Sequence, residues 1–242
     1  QPNYTTAKLH FDREPRFYTN ITFNGSTWLK TDTPRGEVTT ELTFNGNSGY
    51  ANANWDAPYT GYGMRKMAPK EGRSGANRHC ATLLRLADMY LGYAETLSAC
   101  DQRGEAIKYV NKIRARAGIP GYGVAGTTDD NGFACIPYED TRDGVDKRIR
   151  RERLIELMFE WNHFFDVRRW KVANMAVGDD WIYPNYHRGG EGGAIHGMAP
   201  AFFEKVVVET RTFLPKHYLF PIPDEDVRRN PKMVQNLGWT TE

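Results

Sequence analysis

The chain has only three cysteines, Cys80, Cys100 and Cys135. An odd count at irregular spacing excludes a disulfide framework and a zinc ribbon, and leaves room for one pair at most. The six histidines, His10, His79, His163, His187, His196 and His217, also lack metal-ligand spacing. No run of about 18 apolar residues is present, so no segment reads as a membrane-spanning helix. Charge of one sign is missing too: 32 basic and 30 acidic residues leave a net charge of +2. That balance argues against a nucleic-acid partner held by phosphate neutralisation. There is no Ser-His-Asp arrangement, no phosphate-binding loop and no zinc-hydrolase motif. The sequence therefore offers no catalytic residues, no metal ligands and no cofactor site. No signal peptide is visible, and the chain begins at Gln1, which reads as a processed chain or part of a longer one.

What the chain does contain is enough apolar and aromatic material, 40% and 13% of 242 residues, for a substantial core. The densest part is residues 150–171. There Leu154, Ile155, Leu157, Met158, Phe159, Trp161, Phe164, Phe165, Val167 and Trp170 point to almost every side of a helix. Such a helix is expected to be buried. Glu152, Glu156 and Glu160 sit four apart on one face, where like charges repel, and burial demands partners for them. Arg85, Arg114, Arg116, Arg150, Arg168 and Arg169 are available. The expectation is a central helix, from 143 to about 172, whose carboxylates are matched by arginines. Glu160-Trp161-Asn162-His163 fits the Glu-x-x-His element of di-iron bundles, but no second copy exists. Carboxylates four apart also suggest a glycosidase pair. Both readings lose to a structural ladder.

Taken in order, residues 17–23 are rich in aromatic and β-branched side chains and are followed by Asn24-Gly25 and then Ser26-Thr27-Trp28-Leu29, which predicts a hairpin. Residues 38–44 predict another short strand. Between 50 and 62 the aromatics Tyr50, Trp55, Tyr59 and Tyr62 alternate with Asn52, Asn54 and Asp56. Rings beside amides and carboxylates suit a saccharide, which stacks its apolar face and bonds its hydroxyls. The same composition suits a loop packed down by its own rings. Leu83, Leu84, Leu86, Ala87, Tyr90, Leu91, Ala94 and Leu97 recur at helical steps. A second helix runs through Ala106, Ile107, Val110 and Ile113, with Gly118 as its cap and Pro120 as its stop. This pair resembles one tetratricopeptide-type hairpin. The Gly-, Thr- and Asp-rich segment 118–142 is long for a loop, which points to function or disorder. Residues 178–200 read as an exposed loop carrying Trp181, Tyr183, Tyr186 and His187. Val206 to Val208 predict a strand, Pro221 and Pro223 an extended segment, and Asp224 the N-cap of a short helix ending near Arg229.

Four motifs, in order, resemble the C-terminal half of the SusD/RagB family. They are Glu14-Pro15-Arg16-Phe17-Tyr18; Arg85-Leu86-Ala87-Asp88-Met89-Tyr90 with Val110-Asn111-Lys112-Ile113-Arg114-Ala115-Arg116-Ala117-Gly118; Glu152-Arg153 through Phe165-Asp166-Val167-Arg168-Arg169-Trp170; and Pro221-Ile222-Pro223 with Asn230-Pro231 and Gln235-Asn236-Leu237-Gly238-Trp239. Where family members often have Glu-Gly-His-Arg, this chain has Glu160-Trp161-Asn162-His163. Family members are longer and start at a lipidated cysteine, and none of the three cysteines here is N-terminal.

The resemblance implies a mainly α fold: tetratricopeptide-like helical hairpins with an irregular, loop-rich region carrying short β-hairpins. Its expected divisions are 1–78 (loops and short strands with ligand-loop candidates), 79–175 (helical hairpin and long buried helix) and 176–242 (irregular C-terminal region), all one SusD-like domain lacking its N-terminal half. It further implies a non-catalytic outer-membrane surface protein that captures oligosaccharides for a SusC-like TonB-dependent transporter, attached to the membrane by a lipid anchor in the missing N-terminal part. Oligopeptide capture by the same type of complex, and a helical-repeat scaffold with no small ligand, are the alternatives. The glycan-binding candidates are Trp28, Trp55, Tyr59, Tyr62, Asn54 and Asp56, followed by Trp181, Tyr183 and Tyr186.

Overall fold

The computed structural model describes residues 10, 12–29, 37–42, 45–49, 51, 62–68, 82–173, 181–184, 205–209 and 213–239. The chain divides into two compact units, one of Gln1–His163 with Pro184–Glu204, the other of Phe164–Tyr183 with Lys205–Glu242. The fold is mainly helical, with short two-stranded sheets.

Helix α1 (Pro15–Asn20) stands where the composition of residues 17–23 predicts the start of a strand. Pro15 at the first helical position presets the backbone angle, and the turn carries Arg16 into the interior, 6% exposed. Burial of that one side chain overrides the β-propensity of the aromatics around it. The Asn24-Gly25 turn does form, with the Ser26 N–H donating to the Phe23 carbonyl at 2.9 Å and Gly25 at φ 87°. The strands on either side of it pair elsewhere. β1 (Ile21–Phe23) runs antiparallel to β4 (Tyr62–Met64), and β2 (Thr27–Leu29) antiparallel to β3 (Glu37–Thr39), with Trp28 opposite Val38.

Helices α2 (Leu86–Ala99) and α3 (Arg103–Arg116) form the expected hairpin. Ala87, Leu91, Ala94 and Leu97 face Ala106, Ile107, Val110 and Ile113, and the small residues Ala94 and Ala106 are both fully buried. The helical pattern overran at its start. Leu83 and Leu84 lie outside α2 and are exposed. At the far end Gly118 adopts φ 69°, the Ile119 N–H reaches the Arg114 carbonyl at 3.1 Å, and the Gly118 N–H reaches that of Ala115 at 3.1 Å. These are the two bonds of a Schellman cap.

Helix α4 (Arg142–Glu156) lays Val145 and Ile149 against that hairpin. Thr141 caps it, its Oγ accepting from the Gly144 N–H at 3.1 Å. The expected single helix from 143 to 172 is broken. Residues 157–161 are turns, Phe159 and Trp161 take φ 65° and 66°, and α5 (Asn162–Arg169) starts afresh. Nor is the stretch buried all round, because Leu154, Phe159, Trp161 and Phe165 are exposed. The segment between α3 and α4 is ordered around Asp129, whose carboxylate accepts from the N–H groups of Gly121, Asn131 and Phe133 at 2.7, 3.0 and 2.9 Å. These bonds, the one from Gly121 foremost, hold Asp129 below the usual carboxylate range. Strand β5 (Tyr122–Gly123) runs parallel to β6 (Ile136–Pro137) beside it.

β7 (Trp181–Pro184), which belongs to the second unit up to Tyr183, pairs with β8 (Lys205–Glu209), the strand expected at Val206 to Val208. A 3₁₀ turn (Pro215–Tyr218) leads to the extended Pro221-Ile222-Pro223. Its backbone is satisfied by side chains. Gln235 both accepts from the Ile222 N–H (2.8 Å) and donates to its carbonyl (2.7 Å), and Asn236 donates to the Phe220 carbonyl (2.7 Å). That accounts for the Gln-Asn of the closing motif: a segment barred from a regular ladder by two prolines needs side-chain partners. Asp224 does not cap α6 (Asp224–Arg229) as expected; Pro223 holds the cap position and Asp224 is the first helical residue.

Candidate functional site

Of the predicted saccharide ligands, Trp28 and Tyr62 are placed with their side chains. Trp28 lies on β2, half-buried, with the Arg65 guanidinium 5.2 Å from the centre of its ring. Tyr62 opens β4 and belongs to an aromatic cluster with His10, Phe17 and Phe23; its hydroxyl is 3.1 Å from His10 Nε2 and its ring meets His10 edge-on at 5.5 Å. Trp55, Tyr59, Asn54, Asp56 and Tyr186 lie outside the described residues, and Trp181 and Tyr183 are placed only as backbone of β7. His10 itself is buried, and its Nδ1 has no partner among the described residues. Burial, helped by the charge of Arg13, pushes its pKa down to about 4.

The three glutamates of the ladder converge on cations from four parts of the chain. Glu152 is fully buried and accepts from Arg16 at 2.6 Å and Arg114 at 2.8 Å. Glu156 accepts from Arg16 at 3.0 Å, Arg85 at 2.6 Å and Arg116 at 2.5 Å. Glu160, beyond the helix break, accepts from Arg85 at 2.8 and 3.0 Å and from Lys66. Glu14 closes the network by taking both edges of Arg16, at 2.7 and 3.0 Å. Burial opposes the charge on Glu156 and Glu160, but the bonds from Arg85, with those from Arg16 and Lys66, outweigh it and hold both carboxyls below their ordinary range. Burial lowers Lys66 despite its pairing with Glu160.

Arg85, Arg114 and Arg116 thus take the expected roles. Arg168 instead bonds the Phe164 carbonyl and lies over that ring, and Arg169 pairs with Asp166. Arg16 and Lys66 are ladder partners that the sequence pattern does not single out. The nearest signal was Arg16 in the Glu-Pro-Arg-Phe motif, since a motif arginine needs a carboxylate. In the Glu-x-x-His element, Glu160 is bonded by Arg85 and Lys66. Among the described residues no group of three or more His, Cys, Asp or Glu could bind a metal ion. Cys100 and Cys135 are free thiols.

One face of this network is open. Pro15, Arg16, Thr19, Asn20, Lys66, Arg85, Arg116, Ala117 and Glu156 line a cleft of about 480 Å³, within the range of small-molecule sites. The charged groups among its described lining residues hold one another.

Comparison with known proteins gives a consistent result. The chain matches the model of the SusD family over residues 1–239. It is 24% identical over 176 residues to a SusD-like protein, P2, of Formosa agariphila, covering 72% of this chain and 28% of that protein. A SusD-like protein of Bacteroides fragilis superimposes with a TM-score of 0.73 at 27% identity, over 96% of this chain and 40% of the other. A second B. fragilis structure, described as a SusD-like carbohydrate-binding protein, gives a TM-score of 0.66 at 24% identity, over 96% and 43%. The chain therefore spans well under half the length of these relatives.

Proposed function

Because the chain belongs to the SusD family, we propose that it is part of a non-catalytic surface protein that captures oligosaccharides and hands them to a TonB-dependent outer-membrane transporter. The helical hairpin with α4 is the scaffold, and the loops and short strands carry the ligand, as expected when function is grafted on a fold. The observation that carries the reading on this chain is Trp28. It is a partly open indole on a short strand, with Arg65 against its ring, and so offers a pyranose a platform fixed by its neighbours. Stacking on such a ring contributes about 1 kcal/mol. With the hydrogen bonds of an ordered ligand lost as well, Trp28→Ala weakens oligosaccharide binding about ten-fold. Tyr62, with Trp55, Tyr59, Asn54 and Asp56, completes the proposed ligand set, and Trp181, Tyr183 and Tyr186 form a second tier.

The test is tryptophan fluorescence of the intact protein, titrated with plant, host and microbial oligosaccharides and with mixed peptides. A saturable response to one glycan class, weakened by Trp28→Ala in a protein that remains folded, supports the reading. A response to peptides alone replaces it with peptide capture, and silence to both leaves a protein-interaction scaffold.

A further inference from the structure

The cleft beside the glutamate ladder has a polarity of its own. Five cations, Arg16, Lys66, Arg85, Arg114 and Arg116, are linked to four carboxylates, Glu14, Glu152, Glu156 and Glu160, which leaves one positive charge in excess. The lining acceptors are mostly engaged. Glu156 Oε1 is taken by Arg85 and Arg116 and its Oε2 by Arg16; the single Thr19 hydroxyl proton is shared between Asn20 Oδ1 and the Arg16 carbonyl, both at 3.2 Å, and the Thr19 oxygen keeps its capacity to accept. The donors are not. Arg116 gives only Nη2 to Glu156, so its Nε and Nη1 have no partner among the described residues, and the Asn20 amide nitrogen has none either. Arg116 is also the most exposed member of the network, 58% against 22% or less for Arg16, Lys66, Arg85 and Arg114. A cleft whose free donors are the charged ones and that holds a surplus positive charge favours an anion. A neutral sugar hydroxyl needs both kinds of partner.

The location ties this cleft to the stacking platform. Lys66 directly follows Arg65, whose guanidinium lies over Trp28, and the N–H groups of Arg65 and Lys66 both donate to the Asn20 carbonyl, at 2.9 and 3.2 Å. The platform and the cleft are therefore fixed to each other through adjacent residues. Pro15 and Ala117 give the cleft an apolar edge for the CH face of a ring.

We infer that the cleft reads the acidic group of a charged oligosaccharide, a uronate carboxylate or a sulfate ester, with Arg116 and Asn20 as its donors and Lys66 supplying charge. The inference rests on the saccharide-capture reading for the remainder of the ligand but makes a separate claim about the cleft. Arg16, Arg85, Glu152 and Glu156 are positioning residues. Their mutual bonds hold the wall rigid, so the site is preorganised.

Two measurements on the intact protein test it. The first is thermal unfolding in sodium glucuronate, sodium sulfate or glucose, at ionic strength matched with sodium chloride. Glucuronate or sulfate is expected to raise the melting temperature while glucose at the same concentration does not. Arg116→Gln is expected to abolish the shift, and Arg103→Gln, an arginine paired with Asp101 and Asp140 away from the cleft, to keep it. No shift, or an equal shift in Arg116→Gln, overturns the inference. The second is calorimetric titration with neutral, uronate-bearing and sulfated oligosaccharides of one length. The acidic ligand is expected to bind about ten-fold or more tightly than the neutral one, with Arg116→Gln removing that advantage. The carboxylate and sulfate arms identify which group is read. Binding of neutral glycans with no acidic preference defeats the cleft assignment and leaves saccharide capture standing. An anion-dependent shift in melting temperature with no oligosaccharide bound at all keeps the cleft as an anion site and defeats saccharide capture.

Discussion

Glu152→Gln removes one charge from the centre of the network while keeping the shape of the side chain. Glu152 is fully buried and receives Arg16 at 2.6 Å and Arg114 at 2.8 Å. Arg16 keeps Glu14 and Glu156. Arg114 keeps only the Pro120 carbonyl at 2.7 Å, the Tyr122 hydroxyl at 3.3 Å and the Tyr122 ring 4.2 Å away. A glutamine can accept from one arginine through its carbonyl oxygen, but its amide group then turns donors toward the other. One charge-assisted bond is lost, about 1.5–3 kcal/mol, and a buried guanidinium loses its counter-charge, the case in which breaking a buried pair costs about 3–5 kcal/mol. The expected destabilisation is thus about 3–4 kcal/mol. For a chain of this size that lowers the melting temperature by roughly 6–16 °C. Circular-dichroism melts and urea midpoints at pH 7 measure it, with Glu105→Gln, in an exposed pair with Lys108, as a control expected to move stability by about 0.5 kcal/mol or less. The double change Glu152→Leu/Arg114→Met removes both ends of the pair and is expected to cost less than Glu152→Gln alone. A Glu152→Gln effect below about 1 kcal/mol, or a double change worse than the sum of its parts, would refute the claim that this network is held by matched buried charge.

Two further outcomes follow from the geometry. His10 has a folded pKa of about 4 against 6.5 in the unfolded chain, so between those values the unfolded state binds a proton that the folded state refuses. Stability is then complete above pH 6.5 and falls by about 3 kcal/mol by pH 4. Glu156 and Glu160, held below their ordinary value of 4.5, begin to add their loss as the pH falls through that value, overlapping the end of the His10 window, and continue below it. Urea midpoints at several pH values check this, and His10→Phe is expected to flatten the upper part of the slope. Two glycines are expected to respond with opposite sign. A Cβ at Gly144 would meet the Glu139 carbonyl oxygen at 2.3 Å, whereas one at Gly92 meets nothing within 4 Å. Gly144→Ala is therefore expected to destabilise by about 1–3 kcal/mol and Gly92→Ala, within α2, to stabilise by about 0.5–1 kcal/mol, both read from melting curves.

The parts legible in the sequence were those set by local rules. The α2–α3 hairpin followed from apolar spacing and from Gly118, whose positive φ completes the cap. The buried ladder followed from three glutamates four apart and a supply of arginines. The parts that were not legible depend on contacts far along the chain. Arg16 reaches Glu152 across 136 positions and Lys66 reaches Glu160 across 94, and no local pattern announces either. The same burial of Arg16 turned an aromatic, β-rich run into α1. The break between α4 and α5 has neither proline nor glycine to mark it. It occurs where Phe159 and Trp161 take positive φ, bringing Glu160 round to Arg85 and Lys66. Of the loop aromatics, composition indicated only a tendency to bind. The arginine partner of Trp28 comes from residue 65, beyond β3 and next to β4.

The account is tested most directly by isothermal titration of the intact protein with a matched panel of neutral and acidic oligosaccharides, with peptides as the counter-panel. It predicts saturable binding of one glycan class, about ten-fold weaker in Trp28→Ala, with the fold unchanged. Tight binding of peptides with no saccharide bound, or saccharide binding untouched by Trp28→Ala, would contradict it.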